Sequence, residues 1–180
     1  CSNILFTACS CRSGPQGQAV NKNGRAETED FMQTYKNPVL YADYSDPDVI
    51  RVGEDYYMVA SSFTYLPGVP LLHSKDLVHW ELINYCVKEL PYEKYAVPSH
   101  GSGTWAPAIR YHNGTFFVFI PLVDEGILVA RSSDPYGEFQ LNMLCERKGW
   151  IDSCPFWDDD GKAYMIFAYA GSRAGVKHRL

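Results

Sequence analysis

Hydrophobic and aromatic positions along the chain form three similar segments, each containing a proline near its start. In each segment a short apolar stretch leads through a turn with glycine into a second stretch rich in aromatic and β-branched residues, which predicts a β-hairpin. The segments align without gaps, because the first aromatic residue of the second stretch stands nine residues after the proline in every copy. The pairs are Pro47 and Tyr56, Pro107 and Phe116, and Pro155 and Tyr164. We expect each proline at the entry of a strand, where its missing N–H does least harm.

A weaker repeat follows the first two hairpins. Residues 73–77 before Trp80 correspond to residues 132–135 before Phe139, and both segments indicate a turn between a third and a fourth strand. The units recur at intervals of 60 and 48 residues, with no competing helical periodicity. The pattern therefore predicts an all-β fold, a β-propeller with two full four-stranded blades and part of a third. Because propellers close with about four to eight blades, we expect the chain to be a fragment of a longer protein.

The N-terminal residues have a different character. Residues 1–11 resemble the end of a bacterial export signal, and residues 6–9 resemble a lipoprotein box in which Cys9 receives the lipid; an arbitrary tail is the alternative. Residues 12–36 are polar and lack apolar periodicity, which predicts a flexible tether before a folded part at residues 37–180. This interpretation predicts export to the periplasm, the outer membrane or the cell surface, with peripheral membrane attachment only if the chain is lipidated.

The composition argues against a nucleic-acid partner, a membrane-spanning helix and a cysteine-based metal site. Of 180 residues, 46% are apolar and 21% are charged, and the formal net charge is −5, which gives no basic surface for nucleic acid. No stretch reaches the roughly 20 apolar residues that a membrane-spanning helix needs. Outside the leader the cysteines are Cys86, Cys145 and Cys154, an odd number at spacings that match no metal site. We expect them to be buried free thiols.

Two aspartates stand where first strands are predicted to enter the central channel of the propeller, the usual place for a propeller site. Asp46 directly precedes Pro47, and Asp152 lies three residues before Pro155. Two carboxylates that face each other across a channel have pKa values pushed apart, which suits acid and base roles. The alternative is ordinary turn chemistry, because aspartate is common before proline and near strand starts.

Several motifs occur in order in the folded part, at residues 37–40, 45–53, 67–80, 105–107 and 151–161. Together they resemble the motifs of glycoside hydrolase family 43. The resemblance covers residues 37–180 and implies a five-bladed propeller. It also implies inverting, exo-acting hydrolysis of terminal β-xylosides or α-L-arabinofuranosides of plant cell-wall polysaccharide. The expected partner is therefore an oligosaccharide or polysaccharide substrate, and no cofactor is required.

The resemblance implies roles for both aspartates. Asp46 matches the general base that activates water, and Asp152 matches the residue that raises the pKa of the general acid and orients it. The acid itself is a glutamate in a later blade, commonly within Glu-Gly-Pro, and that motif does not occur in this chain. Since general-acid catalysis contributes about 10²–10⁴-fold, we expect the isolated 180-residue chain to be nearly inactive.

Three further residues are candidates for sugar binding. Trp105 and Phe63 match aromatic positions of the family's pocket, and His100 lies on a Gly-rich loop from which it could hydrogen-bond a hydroxyl group. The alternatives are packing in the core for the two aromatics and a solvated loop position for the histidine. Ala108 departs from the family pattern, because many relatives have aspartate after Trp-Ala-Pro.

No metal site is predicted in this chain. Residues 158–161 superficially suggest calcium, but they lack the spaced ligands and distal glutamate of a calcium loop and indicate a hairpin turn. The family resemblance allows a structural calcium in the complete protein.

Two functions other than hydrolysis remain possible from the sequence. One is a non-catalytic carbohydrate-binding propeller, in which Asp46 and Asp152 only hydrogen-bond a sugar, and the other is a protein-interaction scaffold. The scaffold is disfavoured because the resemblance is strongest in the catalytic motifs.

Overall fold

The structure, a computed structural model, describes residues 34–175. The predicted leader with Cys9, and the predicted tether as far as residue 33, lie outside the described residues. Residues 34–175 form antiparallel sheets together with a short 3-10 helix at Glu93–Tyr95 and one helical turn, α1, at Gly171–Ala174.

The strands of each sheet follow one another in sequence order. The first sheet contains β1 (Asp48–Val52), β2 (Asp55–Val59), β3 (Gly68–Ser74) and β4 (Trp80–Val87). The second contains β5 (Ala108–His112), β6 (Thr115–Leu122), β7 (Gly126–Ser132) and β8 (Gln140–Cys145). The third contains β9 (Trp150–Trp157) and β10 (Ala163–Tyr169). Sequential antiparallel strands are the topology of propeller blades, so the prediction of two full blades and part of a third is confirmed.

The turns between strands fall where the sequence predicted them. Asn113 and Gly114 join β5 to β6 with φ values of 48° and 78°, and two positive φ angles define the type I′ turn that Asn-Gly favours. The acidic residues 158–161 lie between β9 and β10. There the Asp158 N–H donates to the Lys162 carbonyl at 2.9 Å, so this segment is the predicted hairpin turn.

Strand β6 shows how the second blade is buried on both faces. Phe116, Val118 and Ile120 point into a core shared by the first two sheets, whereas Phe117 and Phe119 pack with residues of the third sheet. Side chains alternate between the faces of a strand, so an unbroken apolar run fits a strand covered on both sides. The second sheet is therefore packed between the first and the third.

Pro155 corrects one expectation about the third hairpin. Pro47 and Pro107 directly precede β1 and β5 as predicted, but Pro155 lies inside β9, which begins five residues earlier at Trp150. Within the described residues β9 pairs only with β10, so it is an edge strand, where a missing N–H can face away from the ladder. This register places Asp152 inside the strand, as its third residue.

The prediction that the three cysteines are free thiols is confirmed, but the prediction that all three are buried is wrong. Cys86, Cys145 and Cys154 are all free thiols. Only Cys86 is buried, because it lies in the core between the first two sheets; Cys145 is half-buried and Cys154 is exposed.

No helix among residues 34–175 has the length and apolar character needed to cross a lipid bilayer.

Candidate active site

Asp46 stands at the entrance to β1 in a left-handed backbone conformation, with φ at 49°. Its Oδ2 accepts hydrogen bonds from the Ser61 hydroxyl at 2.9 Å and from the Ser45 hydroxyl at 3.1 Å. Ser61 is buried just beyond β2, and its own N–H donates to the Ser45 carbonyl at 2.9 Å. Both side-chain bonds fall on one oxygen and orient the exposed carboxylate, whereas Oδ1 accepts no hydrogen bond from residues 34–175.

Asp152 lies inside the first strand of the third sheet rather than before it, but it has a similar left-handed backbone conformation, with φ at 52°. Desolvation of its carboxyl group raises the pKa, and the negative charge of Asp46 raises it further. The Asp46 carboxylate is thus near enough for its charge to act on Asp152, although the two residues are 106 positions apart in the sequence. Aspartate adopts the left-handed conformation more readily than most residues other than glycine.

The two aromatic candidates lie together beside a contact between the first and second sheets. Ser62 and Thr104 form an isolated antiparallel bridge, with N–H to carbonyl distances of 3.0 and 3.2 Å. Phe63 and Trp105 directly follow these residues, and their half-buried rings meet edge to face with centroids 5.7 Å apart. The Trp105 indole N–H also donates to the Gly101 carbonyl at 3.3 Å. The pair is therefore fixed in position but retains exposed ring surface.

Gly103 makes this approach between the sheets possible. Its φ is +85°, and a Cβ atom at this position would lie 2.7 Å from the Ser62 carbonyl oxygen. Only glycine fits a positive φ combined with so close a backbone contact. The close contact between the two sheets therefore explains why the loop before Trp105 has glycine at position 103.

His100 lies on the same loop and is exposed. The loop is held by the Ser99 N–H, which donates to the Thr64 carbonyl at 2.9 Å. Among the described residues the His100 side chain has no hydrogen bond to Asp46 or Asp152. The structure thus pairs Phe63 with Trp105 through ring contact and places Asp46 where its charge acts on Asp152. The role of His100 stays a prediction.

Sequence reasoning missed two side chains that make contacts between distant parts of the chain near the two aspartates in sequence. Ser61 holds Asp46, and Arg110 connects the first strands of all three sheets. Arg110 occupies the position that Ile50 holds in the first repeat, three residues after the proline. The third repeat has Asp158 at this position, so a charged residue there is not exceptional, and nothing in the sequence distinguishes Arg110 or Ser61 from its neighbours.

Two grooves on the surface of residues 34–175 lie away from the two aspartates. A groove of about 560 Å³ lies at the outer rim between β4 and β8, lined by Tyr85, Glu89 and Gln140 among others. A second, of about 340 Å³, surrounds the turn between β3 and β4. Neither groove is lined by Asp46 or Asp152. Among the described residues no group of three or more His, Cys, Asp or Glu side chains is arranged to hold a metal ion.

Known proteins resemble this chain along most of its length. The sequence profile of glycosyl hydrolases family 43 matches residues 35–179. A β-xylosidase of Formosa agariphila is 37% identical over 98% of this chain and 32% of its own length. A non-reducing end α-L-arabinofuranosidase of Bacteroides ovatus is 44% identical over 75% of this chain and 26% of its own length. The chain thus spans about a third or less of these relatives.

Solved structures show the same likeness in three dimensions. The crystal structure of a family 43 protein from Bacillus licheniformis superposes with a TM-score of 0.66 at 39% identity, covering 74% of this chain and 29% of that protein. Such neighbours are five-bladed β-propeller enzymes, of which this chain covers a part, so the predicted fold class is confirmed.

Proposed function

The chain belongs to glycosyl hydrolases family 43, and on that premise we propose that the complete protein is an inverting, exo-acting glycosidase. Its substrates are terminal β-xylosyl or α-L-arabinofuranosyl residues of plant cell-wall polysaccharide. The names of the relatives support both sugars. The observation that carries the proposal is the effect of the Asp46 charge on the pKa of Asp152. Asp46 directly precedes Pro47 before the first strand of one blade, and Asp152 lies in the first strand of another.

Asp46 acts as the general base. Hydrogen bonds from Ser45 and Ser61 to Oδ2 hold the carboxylate, so Oδ1 can accept a proton from a water molecule as that water attacks the anomeric carbon. Inversion requires this base and an acid on opposite faces of the sugar, about 6.5–9.5 Å apart, to leave room for the water. Departure of the leaving group and attack of the water then invert the configuration in one step.

Asp152 acts on the general acid rather than on the sugar. A carboxylate beside a carboxylic acid disfavours ionisation of that acid, so the acid stays protonated at a higher pH. The acid in this proposal is a glutamate from a later part of the complete protein. Asp46 and Asp152 thus serve different steps, one at the attacking water and the other at the leaving group.

Hydrolysis by the complete protein tests this proposal. We expect release of a single monosaccharide from an aryl β-D-xyloside or an aryl α-L-arabinofuranoside. Affinity for xylo-oligosaccharides without turnover of either substrate would contradict it and favour a non-catalytic carbohydrate-binding propeller.

Trp105 provides an apolar wall for the sugar ring. We expect Trp105→Ala to raise KM about tenfold, a loss of about 1.4 kcal/mol, because an aromatic face that packs on the C–H groups of the sugar is removed. Trp105→Phe should restore most of the affinity. Steady-state kinetics of the complete protein measure both effects.

Trp80 offers a matched control. It is also half-buried, and its indole N–H also donates to a loop carbonyl, that of Leu77 at 2.9 Å. Trp80→Ala should leave KM at the wild-type value. Equal KM values for Trp105→Ala and wild type, with folding intact, would rule out the sugar-binding role.

We also propose that Cys9 carries a lipid that attaches the protein to an envelope membrane. The lipoprotein-like sequence at residues 6–9 supports this placement. We expect Cys9→Ser to move the protein from the membrane fraction to the soluble fraction of cells, because the anchor is lost. Ser10→Ala serves as the control and should stay with the membrane. A Cys9→Ser protein that remained in the membrane fraction would contradict the proposal.

A further inference from the structure

Arg110 binds parts of three blades with one guanidinium group. It extends from β5, the first strand of the second sheet. One terminal nitrogen donates to Asp48 Oδ2 at 2.7 Å, and Nε donates to the Pro155 carbonyl at 3.0 Å. The other terminal nitrogen lies 3.4 Å from Cys154 Sγ. Arg110 therefore links β1 to β9 through a residue of β5.

Two neighbouring residues of β5 donate hydrogen bonds to Asp48 of β1. Asp48 Oδ2 also accepts the backbone N–H of Ile109 at 2.9 Å, so the same carboxylate is bound by the backbone and the side chain of neighbouring residues of β5. The Arg110 and Asp48 side chains are only 27% and 32% exposed. An ion pair shielded to this degree is screened less by salt than a surface pair.

Both ends of this link lie close to the proposed site. Asp48 is two residues after Asp46 along the chain, and Pro155 is three residues after Asp152. Strand residues advance about 3.3 Å each, so each contact lies within about 7 to 10 Å of chain from a carboxylate. A shift of β1 against β9 would consequently move one carboxylate relative to the other.

We propose that Arg110 is a positioning residue that sets the separation of the Asp46 and Asp152 carboxylates by tying β1 and β9 to β5. This role rests on the proposed function. The guanidinium suits it because its planar fork donates in several fixed directions at once, which the single ammonium group of lysine cannot do. A displacement of about 1 Å in a catalytic group can cost about 10²-fold in rate, so a modest loosening is enough to affect hydrolysis.

Arg110→Lys in the complete protein tests the proposal. Lysine keeps a positive charge for Asp48 but cannot also reproduce the Nε contact with Pro155. We expect kcat to fall about tenfold or more with KM nearly unchanged, and the pH profile of kcat to shift because the coupling between the carboxylates changes. Asp48→Asn weakens the same link from its other side and should produce the same pattern, which provides a second variant if Arg110→Lys does not fold.

Asn84 provides the control for a purely structural contact. Its side-chain NH₂ donates to the Pro135 and Gly137 carbonyls at 3.0 and 2.7 Å, so it also connects the first two sheets, but at the outer strand β4. Asn84→Ala should lower Tm without changing kcat or the pH profile. If Arg110→Lys and Asp48→Asn behave like Asn84→Ala, the positioning role is wrong.

A spectroscopic measurement separates this proposal from the proposed function. The carboxyl ¹³C signal of Asp152 titrates whether or not the protein is an enzyme, and we expect its midpoint to differ between wild type and Arg110→Lys. An active wild type with an unchanged Arg110→Lys midpoint and rate would overturn the positioning role alone. A wild type without turnover would overturn the proposed function and the catalytic part of this role together.

Discussion

Asp46→Asn in the complete protein is expected to lower kcat/KM by about 10²–10⁴-fold, the usual contribution of a general base. Asparagine cannot accept the proton of the attacking water at neutral pH. It does tolerate the left-handed backbone at this position, where φ is 49°. Its side-chain oxygen can still accept the Ser61 hydroxyl, so folding should be preserved. Kinetics with an aryl β-D-xyloside, together with a thermal melt, measure the effect.

Asp43 supplies the matched control for this change. It is another exposed aspartate on the same approach to β1, three residues before Asp46. Asp43→Asn should keep the wild-type kcat/KM because the change in charge is the same but falls outside the site. Similar rates for Asp46→Asn and Asp43→Asn would show that Asp46 is not the base.

Asp152→Asn should give the second large effect, and it should show most clearly in the pH profile. Removing the neighbouring negative charge lowers the pKa of the general acid, so the acid loses its proton at a lower pH. If that pKa falls by about one unit, kcat/KM falls about tenfold at every pH above both values. We therefore expect the alkaline limb of the profile to move toward acid. An alkaline limb in the wild-type position would contradict the role of Asp152.

The same substitution should stabilise the fold at neutral pH. The pKa of Asp152 is raised above its ordinary 3.8 by desolvation and by the charge of Asp46, so ionisation is less favourable in the folded state than in the unfolded state. Below the pKa that Asp152 has in the unfolded chain, the carboxyl group is protonated in both states and does not affect stability. As the pH rises through the pKa of the folded state, ionisation of Asp152 lowers the free energy of unfolding. We expect Asp152→Asn to raise Tm at pH 7 and to have little effect below pH about 3.8. A Tm difference that did not depend on pH would contradict the electrostatic cause.

The repeated hairpins could be predicted because their signals are local. A turn such as Asn113-Gly114 and the alternating faces of β6 depend on residues near one another in sequence. The start of β9 was missed because the proline register of the first two copies does not hold in the third. Pro155 is accommodated inside an edge strand, which the sequence pattern alone does not reveal.

The site was predicted only in part because its supporting contacts join distant residues. The two aspartates were found from their positions before the prolines and from a family resemblance. Their left-handed conformations and the bond from Ser61 to Asp46 depend on tertiary packing. Arg110 reaches across 62 residues to Asp48 and 45 residues to Pro155, and no local pattern specifies either contact.

The anomeric configuration of the first sugar released tests the central claim most directly. Proton NMR of the complete protein acting on an aryl β-D-xyloside resolves the α and β forms of free xylose before they equilibrate. If Asp46 activates a water that attacks opposite the leaving group, α-xylose appears first. Early release of β-xylose would mean retention through a covalent intermediate and would contradict the assignment of Asp46 as the base.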